Sequence, residues 1–192
     1  AEQKQQYISM LTLTGNLADV KADLIVEAIL ENLEIKRKLF ADLEAQNDED
    51  CILATNTSTI PVTRIAAGVK RPQRVVGMHF FNPAPLMKLG EVISGERTAP
   101  EVAETIHAVS VKMGKTPVQV KDEPGFVVNR VARHFYLESL KTLEERVASH
   151  EVIDRLMLAS GFKMGPFQLM DLIGVETNHE VTKSLYEAFF HD

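Results

Sequence analysis

No tryptophan occurs among the 192 residues, and cysteine occurs once, as Cys51. A lone cysteine closes no intramolecular disulfide, so the chain is not a cystine-stapled secreted scaffold, and a reducing, cytoplasmic setting is expected. No uninterrupted apolar run approaches the roughly 18 residues a bilayer-spanning helix needs, so no membrane association is expected. An initiator methionine and a charged-then-apolar leader are both missing; the polar opening, residues 1–6, reads as an element entered part-way, as in a piece of a longer protein. Basic residues are in the minority. The 21 Lys and Arg against 27 Asp and Glu leave a net charge of -6, too little positive field to hold a phosphate backbone, so no nucleic-acid partner is expected. The 10 glycines form no Gly-x-Gly-x-x-Gly, Gly-x-x-x-x-Gly-Lys or Gly-x-Ser-x-Gly, so pattern alone supplies no phosphate cradle and no nucleophile elbow. Against these absences, 45% hydrophobic and 25% charged residues describe an ordinary soluble globular chain with room for one large or two small domains.

Short apolar runs bounded by turn residues alternate with charged helical stretches, the layout of parallel strands with crossover helices. Strands are predicted at 11–14, 23–28, 51–55, 74–80, 89–93 and 116–120. Helices are predicted at 31–43, with Ile35, Leu39 and Leu43 as its apolar stripe, at 61–67 behind Pro61, and at 100–113. Beyond Asp122-Glu123-Pro124-Gly125 every segment has helical spacing, which places a boundary between an α/β domain, 1–121, and an all-helical domain, 122–192. In the second domain a helix is predicted from Phe126 towards Val147. Another follows a Ser149 N-cap and stops at Gly161, a third runs from Gly165-Pro166 to Gly174, and a fourth follows a capping box of Thr177 and Glu180.

In open parallel sheets ligands sit beyond the carboxyl ends of the strands. Glu31, Ser58, and His79 with Asn82 occupy those positions after three predicted strands, and parallel strands would aim all four into one cleft. A titratable base, a hydroxyl and an amide suit work on an alcohol or ketone. Each residue also has a plainer reading. His79 could be structural, Asn56 and Ser58 could close a turn through backbone hydrogen bonds, and Glu31 and Lys36 could be solvated residues of an amphipathic helix. Glu91 lies in an apolar strand where a carboxylate needs a partner, and His79 is the one expected. His107, His134, His150, His179 and His191 show no metal-ligand spacing, so no metal site is expected. Met164, Phe167 and Met170 fall on helical spacing and read as core.

The stretch Met78-His79-Phe80-Phe81-Asn82-Pro83-Ala84-Pro85-Leu86-Met87-Lys88-Leu89-Gly90-Glu91-Val92-Ile93 resembles the signature of the NAD-dependent L-3-hydroxyacyl-CoA dehydrogenases. Four further blocks fit the same family in the same order: 26–32, 55–59, 121–130 and 165–171, so that the resemblance runs over roughly residues 11–185. It implies a Rossmann-like parallel sheet domain followed by a helical one, NAD as cofactor and an acyl-CoA substrate. It makes His79 the general base, oriented by Glu91, with Ser58 and Asn129 at the reacting oxygen, Ser58 and Asn82 beside the nicotinamide, and Glu31 and Lys36 toward the cofactor ribose and phosphates. It also implies a homodimer through the helical domain, for which Phe135, Tyr136, Leu140 and Leu143 could supply an apolar face.

The sequence departs from the family pattern in three respects. The glycine-rich βαβ unit and most of the helical region associated with CoA contact would precede residue 1, and the helical domain stops early at Asp192. This chain alone is therefore expected to bind NAD poorly and to turn over slowly or not at all. Gly90 stands where the pattern has valine, which is expected to loosen the strand presenting Glu91. Within the family, residues 81–87 look most like the monofunctional 3-hydroxybutyryl-CoA dehydrogenases. A multifunctional β-oxidation hydratase-dehydrogenase, a relative acting on a dicarboxylic or aromatic-pathway hydroxyacyl-CoA, and a non-enzymatic crystallin-like or dimerisation module are the alternatives.

Overall fold

The computed structural model describes residues 2–189, with side chains from residue 4 onward, so His191 lies outside the described residues. A helix, α1 (Glu2–Ser9), and an irregular segment with one 3-10 turn (Leu17–Asp19) lead into the sheet. Its elements alternate: β1 (Leu24–Glu27), α2 (Leu33–Gln46), β2 (Ile52–Thr55), α3 (Val62–Ala66), β3 (Val75–Phe80), β4 (Leu89–Ser94), α4 (Pro100–Lys112) and β5 (Thr116–Lys121). Four helices follow: α5 (Val128–Glu144), α6 (His150–Ala159), α7 (Pro166–Ile173) and α8 (Val175–Phe189).

The five strands lie side by side in chain order. β1, β2 and β3 run parallel, as do β4 and β5, but β4 is antiparallel to β3. An all-parallel sheet is thus corrected at one junction. Only 81–88 separate β3 from β4, eight residues where a parallel crossover needs a dozen or more. Both faces of the sheet are covered, which explains the near-continuous apolar strands. Ile25, Leu53, Val75 and Ile93 pack with Phe40, Leu43, Val62 and Ile65 under α2 and α3, while Ile52, Ala54, Val76, Met78 and Val92 pack with Val102, Ala103 and Ile106 under α4. This is a Rossmann-type layering with a helical unit appended. Among the described residues no helix is long and apolar enough to cross a membrane.

Several local expectations are corrected. Residues 11–14 form no strand, and Leu13 is 95% exposed: β1 pairs only with β2, so alternation at 11–14 finds no neighbouring strand. In α2 Leu43 is buried as expected and Leu39 packs partly against the core, but Ile35 is 46% exposed and the other buried residues are Lys36 and Phe40, so the inward face is shifted from the predicted stripe. α8 begins at Val175, so Thr177 lies inside it and caps nothing. Ser149 precedes α6 as expected, but its hydroxyl donates to Glu151 Oε2 at 2.6 Å instead of capping the helix backbone. Pairing runs unbroken through Gly90, which is in register with Phe80 on one side and Pro117 on the other.

Two side chains anchor the start of the helical unit to the sheet. Asp122 accepts the amides of Val62 and Thr63, at 2.8 and 2.7 Å, and so caps α3; Phe126 is buried in the core under α2 and α3. Within the helical unit Asp154 of α6 accepts the first amides of α7, Phe167 and Gln168, at 2.9 and 3.1 Å. Buried Arg133 ties α5 to α8, donating to Thr182 Oγ1 at 2.7 Å and to the Asn178 carbonyl at 3.2 Å, and its Nε donates to the Asn129 carbonyl at 3.1 Å. Burial lowers the Arg133 pKa and raises that of Tyr136, whose ring lies under the guanidinium. Tyr136 therefore packs inward and belongs to no exposed face.

Candidate active site

The antiparallel ladder makes His79 and Glu91 register partners, and both are buried, at 4% and 1% exposure. Glu91 Oε2 lies 2.8 Å from His79 Nδ1. A carboxylate only accepts, so Nδ1 carries the proton, and in the neutral ring Nε2 presents a lone pair. That lone pair faces the Ser58 hydroxyl, 3.1 Å away. The second carboxylate oxygen, Oε1, accepts the backbone amides of Val127 and Val128 at 2.9 and 3.0 Å, where the chain turns into α5. Burial pushes the Glu91 carboxyl up, but the hydrogen bonds from His79, Val128 and Val127, with the attraction of His79, outweigh it and hold the pKa below the ordinary carboxylate value. The imidazole is wedged between Phe81, at 4.7 Å between ring centroids, and Phe126 at 5.8 Å. Oriented on one side by a carboxylate and open to an acceptor role on the other, His79 has the arrangement of a general base.

Ser58 belongs to the loop that follows β2, and Asn129 to the first turn of α5. Asn129 Nδ2 makes a long 3.5 Å contact with the Ser58 carbonyl, so the structure brings Ser58, His79, Glu91 and Asn129 together. Asn82, beyond the end of β3, is exposed on the same carboxyl edge. The Asn56 side chain bonds across to the neighbouring strand instead of closing its own turn: its Oδ1 accepts the Phe80 amide at 2.9 Å, linking the ends of β2 and β3.

Glu31 and Lys36 take places that the spacing does not reveal. Glu31 Oε1 accepts the Thr57 hydroxyl at 2.6 Å and the amides of Ser58 and Thr59 at 2.9 and 3.0 Å. Burial raises the Glu31 pKa, but these hydrogen bonds and the charge of Lys36 prevail and leave it lowered. Lys36 is no solvated helix residue: it is 0% exposed, and its ammonium sits 2.6 Å from Glu27 Oε1 and 3.3 Å from Glu31 Oε2. Glu27 escaped the sequence reading, although one signal was available: it is in phase with Ile25 on β1, and both are buried. The Val127 and Val128 amides, being backbone, had no sequence signal.

The arrangement fits the nicotinamide end of a dinucleotide in part. Exposed Glu31 and Asn82 and half-buried Ser58 share the carboxyl edge, next to exposed Ile29 and Leu30. No glycine-rich turn for the phosphates occurs in the sequence.

Two family models match the chain: "3-hydroxyacyl-CoA dehydrogenase, NAD binding domain" over residues 1–123 and "3-hydroxyacyl-CoA dehydrogenase, C-terminal domain" over residues 125–192. The chain is 48% identical over 184 residues to the 3-hydroxyadipyl-CoA dehydrogenase of Escherichia coli (strain K12), covering 95% of this chain and 39% of that protein. It is 44% identical over 188 residues to the 3-hydroxybutyryl-CoA dehydrogenase of Clostridioides difficile, covering 97% of this chain and 67% of that one. Among solved structures, the 3-hydroxybutyryl-CoA dehydrogenase from Escherichia coli K12 superposes with a TM-score of 0.94 at 47% identity, covering 100% of this chain and 41% of that chain. The chain thus spans well under half of two of these proteins and about two thirds of the other.

Proposed function

The chain belongs to the 3-hydroxyacyl-CoA dehydrogenase family, and on that premise we propose that the protein interconverts (S)-3-hydroxyacyl-CoA and 3-ketoacyl-CoA, with NAD as the redox partner. The observation that carries the proposal is the buried line Glu91–His79–Ser58, closed by Asn129. In the oxidative direction the 3-hydroxyl of the substrate lies against His79 Nε2, which takes its proton. The positive charge that develops on the ring is stabilised through Nδ1–H by the Glu91 carboxylate, itself fixed by two backbone amides. Bound NAD supplies the acceptor for the hydride leaving C3. Ser58 and Asn129 donate to the oxygen as it becomes a carbonyl, and in the reverse direction His79 returns the proton. A positioned base of this kind contributes about 10² to 10⁴ in rate.

On the cofactor side, Glu31 and Asn82 stand at the exposed carboxyl edge, with Lys36 acting behind Glu31. Residues 1–121 are then the cofactor-binding part and 122–192 the helical part that adds Asn129. We place the protein in the cytoplasm, as a homodimer through the helical part, where Leu137 and Leu140 of α5 are exposed. A short acyl chain is supported by the similarity to a 3-hydroxybutyryl-CoA dehydrogenase.

The test is NADH oxidation with acetoacetyl-CoA by the full-length protein and by its His79→Gln variant. A kcat lower by about 10² or more in the variant, with the circular dichroism spectrum unchanged, is expected for loss of the base. Undiminished turnover by His79→Gln, or a wild-type protein inactive on short and long acyl chains alike, would overturn the proposal and leave His79 and Glu91 as a structural pair.

A further inference from the structure

Glu27 and Lys36 have no part in the proton transfer described above, yet they form a buried ion pair at the end of an edge strand. Glu27 is 3% exposed. Its Oε1 accepts the Lys36 ammonium and the Ile29 amide, both at 2.6 Å, and its Oε2 accepts the Thr55 hydroxyl at 2.7 Å. Lys36 is held by its stem, which lies on the buried stripe of α2 with Phe40 and Leu43, so its ammonium has little freedom to move. From that fixed point it also reaches Glu31 Oε2. Two carboxylates around one ammonium leave a net negative charge, and Glu31 Oε1 is compensated by the loop after β2. Five donors converge on this one oxygen: the hydroxyls of Thr57 and Thr59 at 2.6 and 3.2 Å, and the amides of Ser58, Thr59 and Ile60 at 2.9, 3.0 and 3.4 Å. The loop is wound around a single atom, and the residue at its centre, Ser58, emerges with its hydroxyl 3.1 Å from His79 Nε2.

A buried ion pair is weak evidence for stability, because well-packed apolar residues often do as well in its place. Its geometric consequence is stronger. We infer that Glu27 and Lys36 are positioning residues: they hold Glu31 so that its carboxylate gathers residues 57–60 and aims the Ser58 hydroxyl at the reacting oxygen beside His79. The kinetic part of this inference rests on the dehydrogenase reading; the ordering of the loop does not.

The experiment uses the full-length protein with Lys36→Met and Glu27→Gln, each alone and combined with Ser58→Ala; the isosteric Glu27→Gln stands in should Lys36→Met fail to fold. With acetoacetyl-CoA, each single variant is expected to lose about tenfold or more in kcat measured at saturating NADH. In the Ser58→Ala background the same substitutions should cost less than about a further twofold, because residues acting through one hydroxyl are not additive. Amide hydrogen exchange at residues 57–60 should accelerate in both variants while that of β2 and β3 stays slow. Equal losses with and without Ser58, unchanged exchange at 57–60, or an undiminished kcat at saturating NADH would each overturn the inference. A wild-type protein inactive on acetoacetyl-CoA whose variants still show accelerated exchange would sink the dehydrogenase reading while upholding the ordering of the loop.

Discussion

His79 and Glu91 face each other across the single antiparallel junction of the sheet, with Nδ1 and Oε2 2.8 Å apart. Neither lies on a flexible loop. The strand pairing that builds the sheet also sets the distance between base and carboxylate, and the turn into α5 supplies the two amides that hold the carboxylate in place.

Replacing Glu91 with Gln keeps the shape but removes the charge and turns one of the two accepting oxygens into a donor, so either the His79 proton or the Val127 and Val128 amides lose their acceptor. A kcat lower by roughly 10² or more is expected in the full-length protein, by analogy with amide substitution of the carboxylate in a catalytic triad. Retention of full kcat in a steady-state assay would show that Glu91 does not orient the ring.

The same carboxyl has a pKa lowered by its hydrogen bonds, so its contribution to stability is present above the unfolded value of about 4.3 and is lost as pH falls through the folded one. Urea unfolding should therefore show wild type ahead of Glu91→Gln near neutral pH, with the gap closing in acid below about pH 4. A gap that widens toward acid would contradict the assignment.

Ser58→Ala removes a hydroxyl from the reacting oxygen without altering the loop amides that bind Glu31. Loss of one such donor lowers kcat by about 10². Tm should be nearly unchanged, and a thermal melt run alongside the kinetics distinguishes lost chemistry from lost fold.

Gly125 precedes the turn that presents the Val127 and Val128 amides, with φ of 73°, and a Cβ there would stand 2.6 Å from Leu185 Cδ2 and 3.1 Å from the Arg130 backbone nitrogen. Gly125→Ala should destabilise by about 1 to 2 kcal/mol from the backbone conformation alone. It should also lower kcat, because the turn that fixes Glu91 shifts. Denaturant unfolding and turnover measured on one preparation would reveal both effects.

Asp154→Ala strips the cap from α7 and leaves the buried-side amides of Phe167 and Gln168 without an acceptor, a cost of about 1 to 3 kcal/mol. The bonds of Asp154 run to α7 and none to the His79 cluster, so kcat at low temperature should match wild type while the unfolding midpoint falls. An unchanged midpoint would mean that water replaces the carboxylate.

Much of the layout was legible because it depends on local signals. Apolar runs at 24–27, 52–55 and 75–80 became strands, Pro61, Pro100 and Pro166 opened or preceded helices, and Gly161 and Gly174 ended them with positive φ. The misreadings share a cause. Alternation at 11–14 says nothing about whether a neighbouring strand exists, and a polar residue on α2 is not thereby exposed: Lys36 occupies a buried position because two carboxylates await its ammonium. The antiparallel β4 was readable in principle, from the short 81–88 connection.

The sequence by itself determined which residue types are available for chemistry and roughly where each sits along a strand or helix, since side-chain periodicity and turn chemistry act over a few neighbours. The need of a buried Glu91 for a partner already pointed to His79, but only the tertiary structure set their strand register and 2.8 Å separation, and only it decided that Lys36 is shared by Glu27 and Glu31 and that five donors from residues 57–60 converge on one carboxylate oxygen. Those pairings join residues 5 to 29 positions apart, and what selects among them is strand register together with the cost of burying a charge without a partner.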